Sequence, residues 1–224
     1  PDPAGYGRVI RNQAGQVVKI VEQKDAQPEE LAVSEVNTGI YCCESRPLLA
    51  ALENISCENA QGEYYLTDVI GILVDKGLKV WADVADDHLE TLGINSRLQL
   101  AEAEKIFRRR KLNALMDGGV TIMDPDSTFV DEEVSIGADS VLYPFTWLEG
   151  RTSIGGGCVI GPNTRIADTI IGDNATIHFS YAHECRIGEG ATVGPYVHLR
   201  PDTVLQNGVK IGNFVEVKNT NVGQ

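Results

Sequence analysis

The sequence predicts two architectures in one chain of 224 residues: a mixed α/β segment up to about residue 120, then a parallel β-helix of six-residue repeats. Three observations carry this. Aliphatic residues fall at every sixth position at Ile136, Leu142, Leu148, Ile154, Ile160 and Ile166, and again at Ile187, Val193, Leu199, Leu205, Ile211 and Val217. Many are followed directly by glycine, as in Ile136-Gly137, Ile154-Gly155, Ile171-Gly172, Ile187-Gly188 and Ile211-Gly212. The first half has no such repeat and instead alternates short strand-like and helix-like patterns.

In chain order, residues 7–10 and 17–22 read as strands joined by the turn Asn12-Gln13-Ala14-Gly15. Residues 35–43, rich in Val, Ile and Tyr, read as a further strand, which would send the neighbours Cys42 and Cys43 to opposite faces. Ser45 is placed to cap a helix through Leu48, Leu49 and Leu52. Residues 65–76 show helical spacing at Leu66, Val69, Ile70, Ile72 and Leu73, and residues 78–83 read as a short strand. A longer helix is expected over 95–116, ended by Gly118-Gly119. Its Arg108-Arg109-Arg110-Lys111 cluster reads as the solvated face of a connecting helix rather than a nucleic-acid patch. The expected parts are thus 1–94, a connecting helix over 95–120, and a β-helix over 121–224.

A six-residue step fits neither the helical period of about 3.6 nor the two-residue alternation of a strand. It fits a coil with three short flat faces, one aliphatic side chain pointing inward from each and small or polar residues at the corners. Three hexapeptides make one coil, so residues 130–222 are expected to hold about five coils. Ile171 and Ile177 continue the series with a slipped phase. The stretch 167–186 is therefore expected to hold a widened turn or a small bulge. Arg200 and Lys218 lie 18 residues apart, one full coil, so they should stack about 5 Å apart on adjacent coils. Two cations so placed suit a phosphate; alone, they also read as solvated surface charges.

The formal charge of −13 argues against a general nucleic-acid or anionic-membrane partner, which would need a basic face. No apolar run approaches the roughly 20 residues of a membrane span. The five cysteines, Cys42, Cys43, Cys57, Cys158 and Cys185, form no CxxC pair and read as reduced thiols of a cytoplasmic protein. The chain starts Pro1-Asp2-Pro3, without Met or a signal-peptide pattern, as a fragment would.

Local motifs add a resemblance. Asp2-Pro3-Ala4-Gly5-Tyr6-Gly7-Arg8, Ile20-Val21-Glu22-Gln23-Lys24-Asp25-Ala26, Glu35-Val36-Asn37-Thr38-Gly39 and Gly93-Ile94-Asn95-Ser96-Arg97 resemble segments of sugar-phosphate nucleotidyltransferases. So does the run Asn59-Ala60-Gln61-Gly62-Glu63-Tyr64-Tyr65-Leu66-Thr67-Asp68. Leu199-Arg200-Pro201 and Gly212-Asn213-Phe214-Val215-Glu216-Val217-Lys218 resemble β-helix motifs. In this order they resemble the bifunctional N-acetylglucosamine-1-phosphate uridyltransferase / glucosamine-1-phosphate acetyltransferase family.

The resemblance implies a partial Rossmann-like nucleotidyltransferase domain followed by a left-handed β-helix. It implies acetyl transfer from acetyl-CoA to glucosamine-1-phosphate, then Mg²⁺-dependent uridyl transfer from UTP with release of pyrophosphate, feeding peptidoglycan and lipopolysaccharide synthesis. Gly7, Glu22, Asn37 and Asn95 would bind the UDP-N-acetylglucosamine product, Asn95 would also hold the Mg²⁺, and Arg200 and Lys218 would bind the sugar phosphate for acetyl transfer. Glu63 and Tyr65 are weaker candidates for the same pocket, and Asp25 reads as a plain surface charge. Without the resemblance, Gly7 is a turn glycine, Glu22 an exposed carboxylate, Asn37 a loop amide and Asn95 a helix cap. None of His88, His178, His183 and His198 matches the family's catalytic histidine, which is expected beyond Gln224. The family's glycine-rich phosphate loop is also absent from this sequence. An internal fragment that runs neither reaction well, in a homotrimer, is the resulting expectation. The alternatives are a sugar-1-phosphate nucleotidyltransferase with a structural or regulatory β-helix, and a non-catalytic assembly module.

Overall fold

The structure, a computed structural model, describes residues 3–223; Asp2 of the first motif and Gln224 lie outside them. It contains two compact units, one ending at Asn95 and the other starting at Ser96. Among the described residues, no helix is long and apolar enough to cross a membrane.

In the first unit, β1 (Arg8–Arg11) and β2 (Val17–Val21) form an antiparallel hairpin. Asn12 closes its turn by accepting from the amides of Ala14 and Gln16, both at 3.0 Å, and Gly15 takes the left-handed conformation with φ 78°. Three short helices follow: α1 (Pro28–Leu31), α2 (Ser45–Leu52) and α3 (Asp68–Asp75). Helix α3 buries Val69, Ile70 and Leu73, the one-sided spacing that packs a helix. Ile70 joins Val9, Val17 and Ile20 under the hairpin, while Val69 and Leu73 pack on Ala51.

Several expectations fail here. Residues 35–43 make one bridge, Val36 to Arg8, and two flanking bonds, Val9 N to Glu35 O at 3.0 Å and Asn37 N to Gly7 O at 2.8 Å. The chain then turns away because Asn37 Oδ1 takes the Gly39 amide at 3.1 Å. Cys42 and Cys43 consequently lie on no strand, and both are exposed. Residues 78–83 join no ladder: Val80 and Ala82 pack on the hairpin core, and the Ala82 carbonyl accepts from the Arg11 guanidinium at 3.0 Å. The sheet of this unit therefore has two strands, and no Rossmann-like sheet is present among the described residues. Helix α2 is preceded by Glu44, not capped by Ser45.

The second unit opens with α4 (Arg97–Asp117). Its cap is Ser96, whose side chain accepts from Gln99 N at 3.2 Å, so the capping alternative for Asn95 falls to its neighbour. It ends as expected: Gly119 adopts φ 93°, and Val120 N and Gly119 N donate to the carbonyls of Leu115 and Met116, both at 3.0 Å. The basic cluster stays partly exposed, and three of its four side chains also contact the first coil. Arg108 lies 4.2 Å above the Phe129 ring, Arg109 pairs with Asp126 at 2.5 Å and Lys111 donates to the Glu132 carbonyl at 2.5 Å, while Leu112 is fully buried. These cations dock the helix on the first coil.

Eighteen short strands then run from β3 (Thr121–Ile122) to β20 (Asn221–Val222), in three parallel sheets of six. There are thus six coils over 121–222 among the described residues; five complete ones, β6 to β20, lie within 130–222 as expected, and one more precedes them. The first escaped the period because Ile122, Val130 and Ile136 are separated by steps of eight and six. Each inward residue sits over its equivalent one coil on, for example Leu142 over Ile160 over Ile177 over Val193, all with no exposure.

The expected widened turn is instead a set of shortened corners. Inward residues Ile166, Ile171, Ile177, Ala182 and Ile187 are separated by five, six, five and five residues. In the five-residue steps the left-handed residue comes two places after the inward one, at Asp168 (φ 47°), Phe179 (φ 48°) and Glu184 (φ 51°). In six-residue steps such as that from Ile171 to Ile177 it comes three places after, at Asn174 (φ 58°). The residue after the left-handed one is buried and small in both types, as at Thr169, Ala175, Ser180 and Cys185, so the corner loses one residue without moving the core.

Glycine is required where coils touch. A Cβ on Gly155 would lie 2.6 Å from the backbone nitrogen of Asp173, whereas one on Gly212 would meet nothing within 4 Å. Gly155→Ala is therefore expected to lower unfolding free energy by about 1–3 kcal/mol, and Gly212→Ala to leave it unchanged or raise it by up to about 1 kcal/mol. Denaturant titration of the two variants checks this.

Candidate functional site

The first unit brings Gly7, Glu22 and Asn37 together. A Cβ on Gly7 would come 3.4 Å from Glu22 Oε1 and 3.3 Å from Ile20, so glycine keeps this floor low. The same Glu22 oxygen accepts from the Thr67 hydroxyl at 3.0 Å. Asn37 donates its amide to Gly7 O, and its Oδ1 accepts from the Tyr41 hydroxyl at 3.0 Å. Burial and the nearby Glu22 charge push that hydroxyl above its ordinary range. The cluster joins a carboxylate, an amide and two hydroxyls around a bare backbone position, a donor and acceptor mixture suited to sugar hydroxyls. The Tyr65 hydroxyl is also raised, by desolvation first and then by the charges of Asp25 and Glu22, while Glu63 is exposed.

Asn95 is tied in through its approach segment: Gly93 N donates to the Tyr6 hydroxyl at 2.9 Å, next to Gly7. Among the described residues no group of three or more His, Cys, Asp and Glu side chains is placed to hold a metal ion. One neutral amide oxygen does not make a Mg²⁺ cage. The described residues therefore do not fit the metal on their own, and no step is derived through it.

On the β-helix, Leu199 pairs with Val217 in parallel register, so the next residues, Arg200 and Lys218, occupy equivalent corner positions on adjacent coils. The Arg200 backbone is fixed on both sides: its amide donates to Val217 O at 2.9 Å and its carbonyl accepts from the Thr203 hydroxyl at 2.7 Å. The sequence reading treated both cations as open to a phosphate. The structure instead pairs Arg200 with Glu216 at 2.8 Å, because Glu216 is the outward residue one place before Val217. The Arg200 guanidinium, helped by His198 and Lys218, holds the Glu216 carboxyl below its ordinary range. A phosphate arriving here would compete with this carboxylate for Arg200.

Sequence reasoning missed the outward column of the same sheet. Phe129, Trp147, Arg165, Tyr181, His198 and Glu216 are aligned coil by coil. Phe129 stacks on Trp147 at 3.9 Å and Tyr181 on His198 at 5.0 Å, while Arg165 sits over Tyr181 and pairs with Glu149 at 2.6 Å. Its signal was the coil-length spacing of outward rather than inward residues. A cleft of about 520 Å³ runs beside it, lined by Trp147, Arg165, Phe179 and Tyr181 among others.

The Arg200–Glu216 pair sets a pH dependence. Because the folded Glu216 carboxyl is depressed, the pair contributes above the ordinary glutamate pKa and fades as pH falls through the lowered value. Carbon-detected NMR titration of Glu216 is expected to show that low midpoint, and Arg200→Ala is expected to return it upward to the ordinary range.

The C-terminal part, residues 125–223, matches the family model described as the GMPPB C-terminal domain. Along all of its length the chain is 50% identical to Bifunctional protein GlmU of Carboxydothermus hydrogenoformans, covering 50% of that protein. It is 52% identical to the protein of the same name from Pelotomaculum thermopropionicum, over 99% of this chain and 49% of the relative. A solved acetyltransferase domain of PglB from Neisseria gonorrhoeae aligns with a TM-score of 0.43 at 17% identity, over 54% of this chain and 64% of that one. The chain spans about half the length of the curated relatives it matches, and along its whole length it is a homologue of the bifunctional GlmU proteins.

Proposed function

We propose that the chain is a portion of an enzyme that makes UDP-N-acetylglucosamine in two transfers, and that its β-helix carries the sugar-phosphate side of the acetyl transfer. The reading is carried by one observation: the end-to-end identity of about half its residues with bifunctional GlmU proteins. The geometry supports it in two places. Arg200 and Lys218 stack at one corner on consecutive coils, and Gly7, Glu22 and Asn37 meet at one pocket.

In the acetyl transfer, the amine of glucosamine-1-phosphate attacks the thioester carbonyl of acetyl-CoA; the amide N–C bond forms, the C–S bond breaks, and CoA leaves as the thiol after taking up the proton that the amine gives up. Arg200 supplies a forked donor and Lys218 a point charge to the phosphate, which orients the amine at the other end of the sugar. The exposed pair of Arg200 with Glu216 contributes little to stability. A purely structural β-helix or assembly module has no need of the stacked cations Arg200 and Lys218, while an anion site does. The base belongs to a histidine of the family that none of His88, His178, His183 and His198 matches. The first unit holds the N-acetylglucosamine through Glu22, Asn37 and the Gly7 backbone, with Asn95 toward the nucleotide, UTP being the second substrate. Left-handed winding, a cytoplasmic location, and a role in peptidoglycan and lipopolysaccharide synthesis belong to the same reading. So does a homotrimer, supported by the exposed aromatic corner of Tyr196 and Phe214, whose rings stack at 5.3 Å, because exposed aromatic patches mark interaction surfaces.

Isothermal titration of the chain with glucosamine-1-phosphate tests the phosphate corner. Arg200→Ala and Lys218→Ala are each expected to weaken binding roughly 10- to 150-fold, the worth of one hydrogen bond to a charged group. Equal affinity in both variants and the parent would remove the corner from the site.

A further inference from the structure

We propose that Asp25 is a positioning residue that latches the loop of residues 59–65 beside the sugar pocket, so that loop and Glu22 move as one wall. The proposal deepens the reading of that pocket and rests on it. The loop is stiffened from within by Asn59. Its Oδ1 accepts from the amides of Gln61 and Glu63 at 3.1 and 3.2 Å, and its Nδ2 donates to the Glu63 carbonyl at 2.5 Å. A self-capped loop of this kind is packed by its own side chains, so its place beside Glu22 is set by contacts from outside it.

The hold comes from the turn that carries Glu22. Asp25 N donates to Glu22 O at 3.0 Å, which fixes the two acids at opposite ends of one turn. Asp25 Oδ1 then accepts from Ala60 N at 2.8 Å, and Lys24 Nζ donates to Gln61 Oε1 at 2.6 Å. Gln61 passes the contact on through Nε2 to the Tyr65 hydroxyl at 2.8 Å. Beyond the loop, Thr67 closes the ring by donating to Glu22 Oε1. The loop is therefore tied at both ends to the turn that presents Glu22. The bond from Ala60 has an ionised acceptor, the stronger class of hydrogen bond. The second carboxylate oxygen of Asp25, Oδ2, is buried and meets no hydrogen-bond partner among the described residues.

Hydrogen exchange of the Ala60 to Gly62 amides, read together with N-acetylglucosamine-1-phosphate titration, tests the latch in the full chain. Asp25→Ala is expected to speed exchange of these amides and to weaken sugar-phosphate binding, each about tenfold or more. Asp25→Asn keeps an acceptor for Ala60 and is expected to restore most of both. Sugar phosphate is expected to slow exchange of the loop in the parent and in Asp25→Asn, but not in Asp25→Ala, a ligand response that a merely structural role would not give. Glu22→Gln separates the two ideas: it is expected to weaken binding while loop protection stays. Unchanged loop protection and affinity in Asp25→Ala would overturn the latch. A parent chain that binds no sugar phosphate, with loop exchange still sped in Asp25→Ala, would uphold the latch and overturn the pocket.

Discussion

Backbone hydrogen bonding from one coil to the next, in parallel register, is the constraint on which the β-helix depends. Once Leu199 pairs with Val217, every residue at the same distance from them must sit one coil apart. The inward column fills with Leu, Ile and Val because each must meet its own equivalent above and below, and side chains such as Leu142, Leu148, Ile160 and Ile166 lose all exposure. The outward column obeys the same rule, which places Phe129 on Trp147 and Tyr181 on His198. The candidate phosphate corner is a third product of one register, since Arg200 and Lys218 follow Leu199 and Val217.

The corners absorb what the register cannot. A coil can lose a residue at Asp168, Phe179 or Glu184 because one left-handed residue moves forward by a place while the buried small residue after it keeps its seat. Strand pairing is continuous through this region, from Ile166 to Ala182 and from Ile171 to Ile187. Glycines such as Gly155 serve the same end, since any side chain there would strike the backbone of the next coil. In the first unit the organising contact is different: a hairpin whose far end, at Glu22 to Asp25, is bonded to the loop that follows.

What was legible in the sequence is what repeats or caps locally. The inward aliphatic step announced the β-helix, and Gly118-Gly119 announced the end of α4, because each depends on near neighbours in the chain. The 18-residue spacing of Arg200 and Lys218 likewise carried their stacking. What depends on distant partners was hidden. Residues 35–43 have strand composition, yet Asn37 bends the chain after two bonds to the hairpin. Glu216 was read only as part of a motif, and its pairing with Arg200 requires the coil register to be known first. The contacts of the α4 basic cluster were hidden because Phe129, Asp126 and Glu132, which meet it, lie well beyond the helix. Asp25 looked like a surface charge because its partner, Ala60, is far along the chain.

The central claim is that one coil register turns two cations 18 residues apart into a single phosphate site. A crystal structure of the chain with glucosamine-1-phosphate tests it most directly. The account predicts the phosphate bound by both Arg200 and Lys218, with the Arg200 guanidinium released from Glu216. A phosphate bound elsewhere, with the Arg200–Glu216 pair intact, would contradict it.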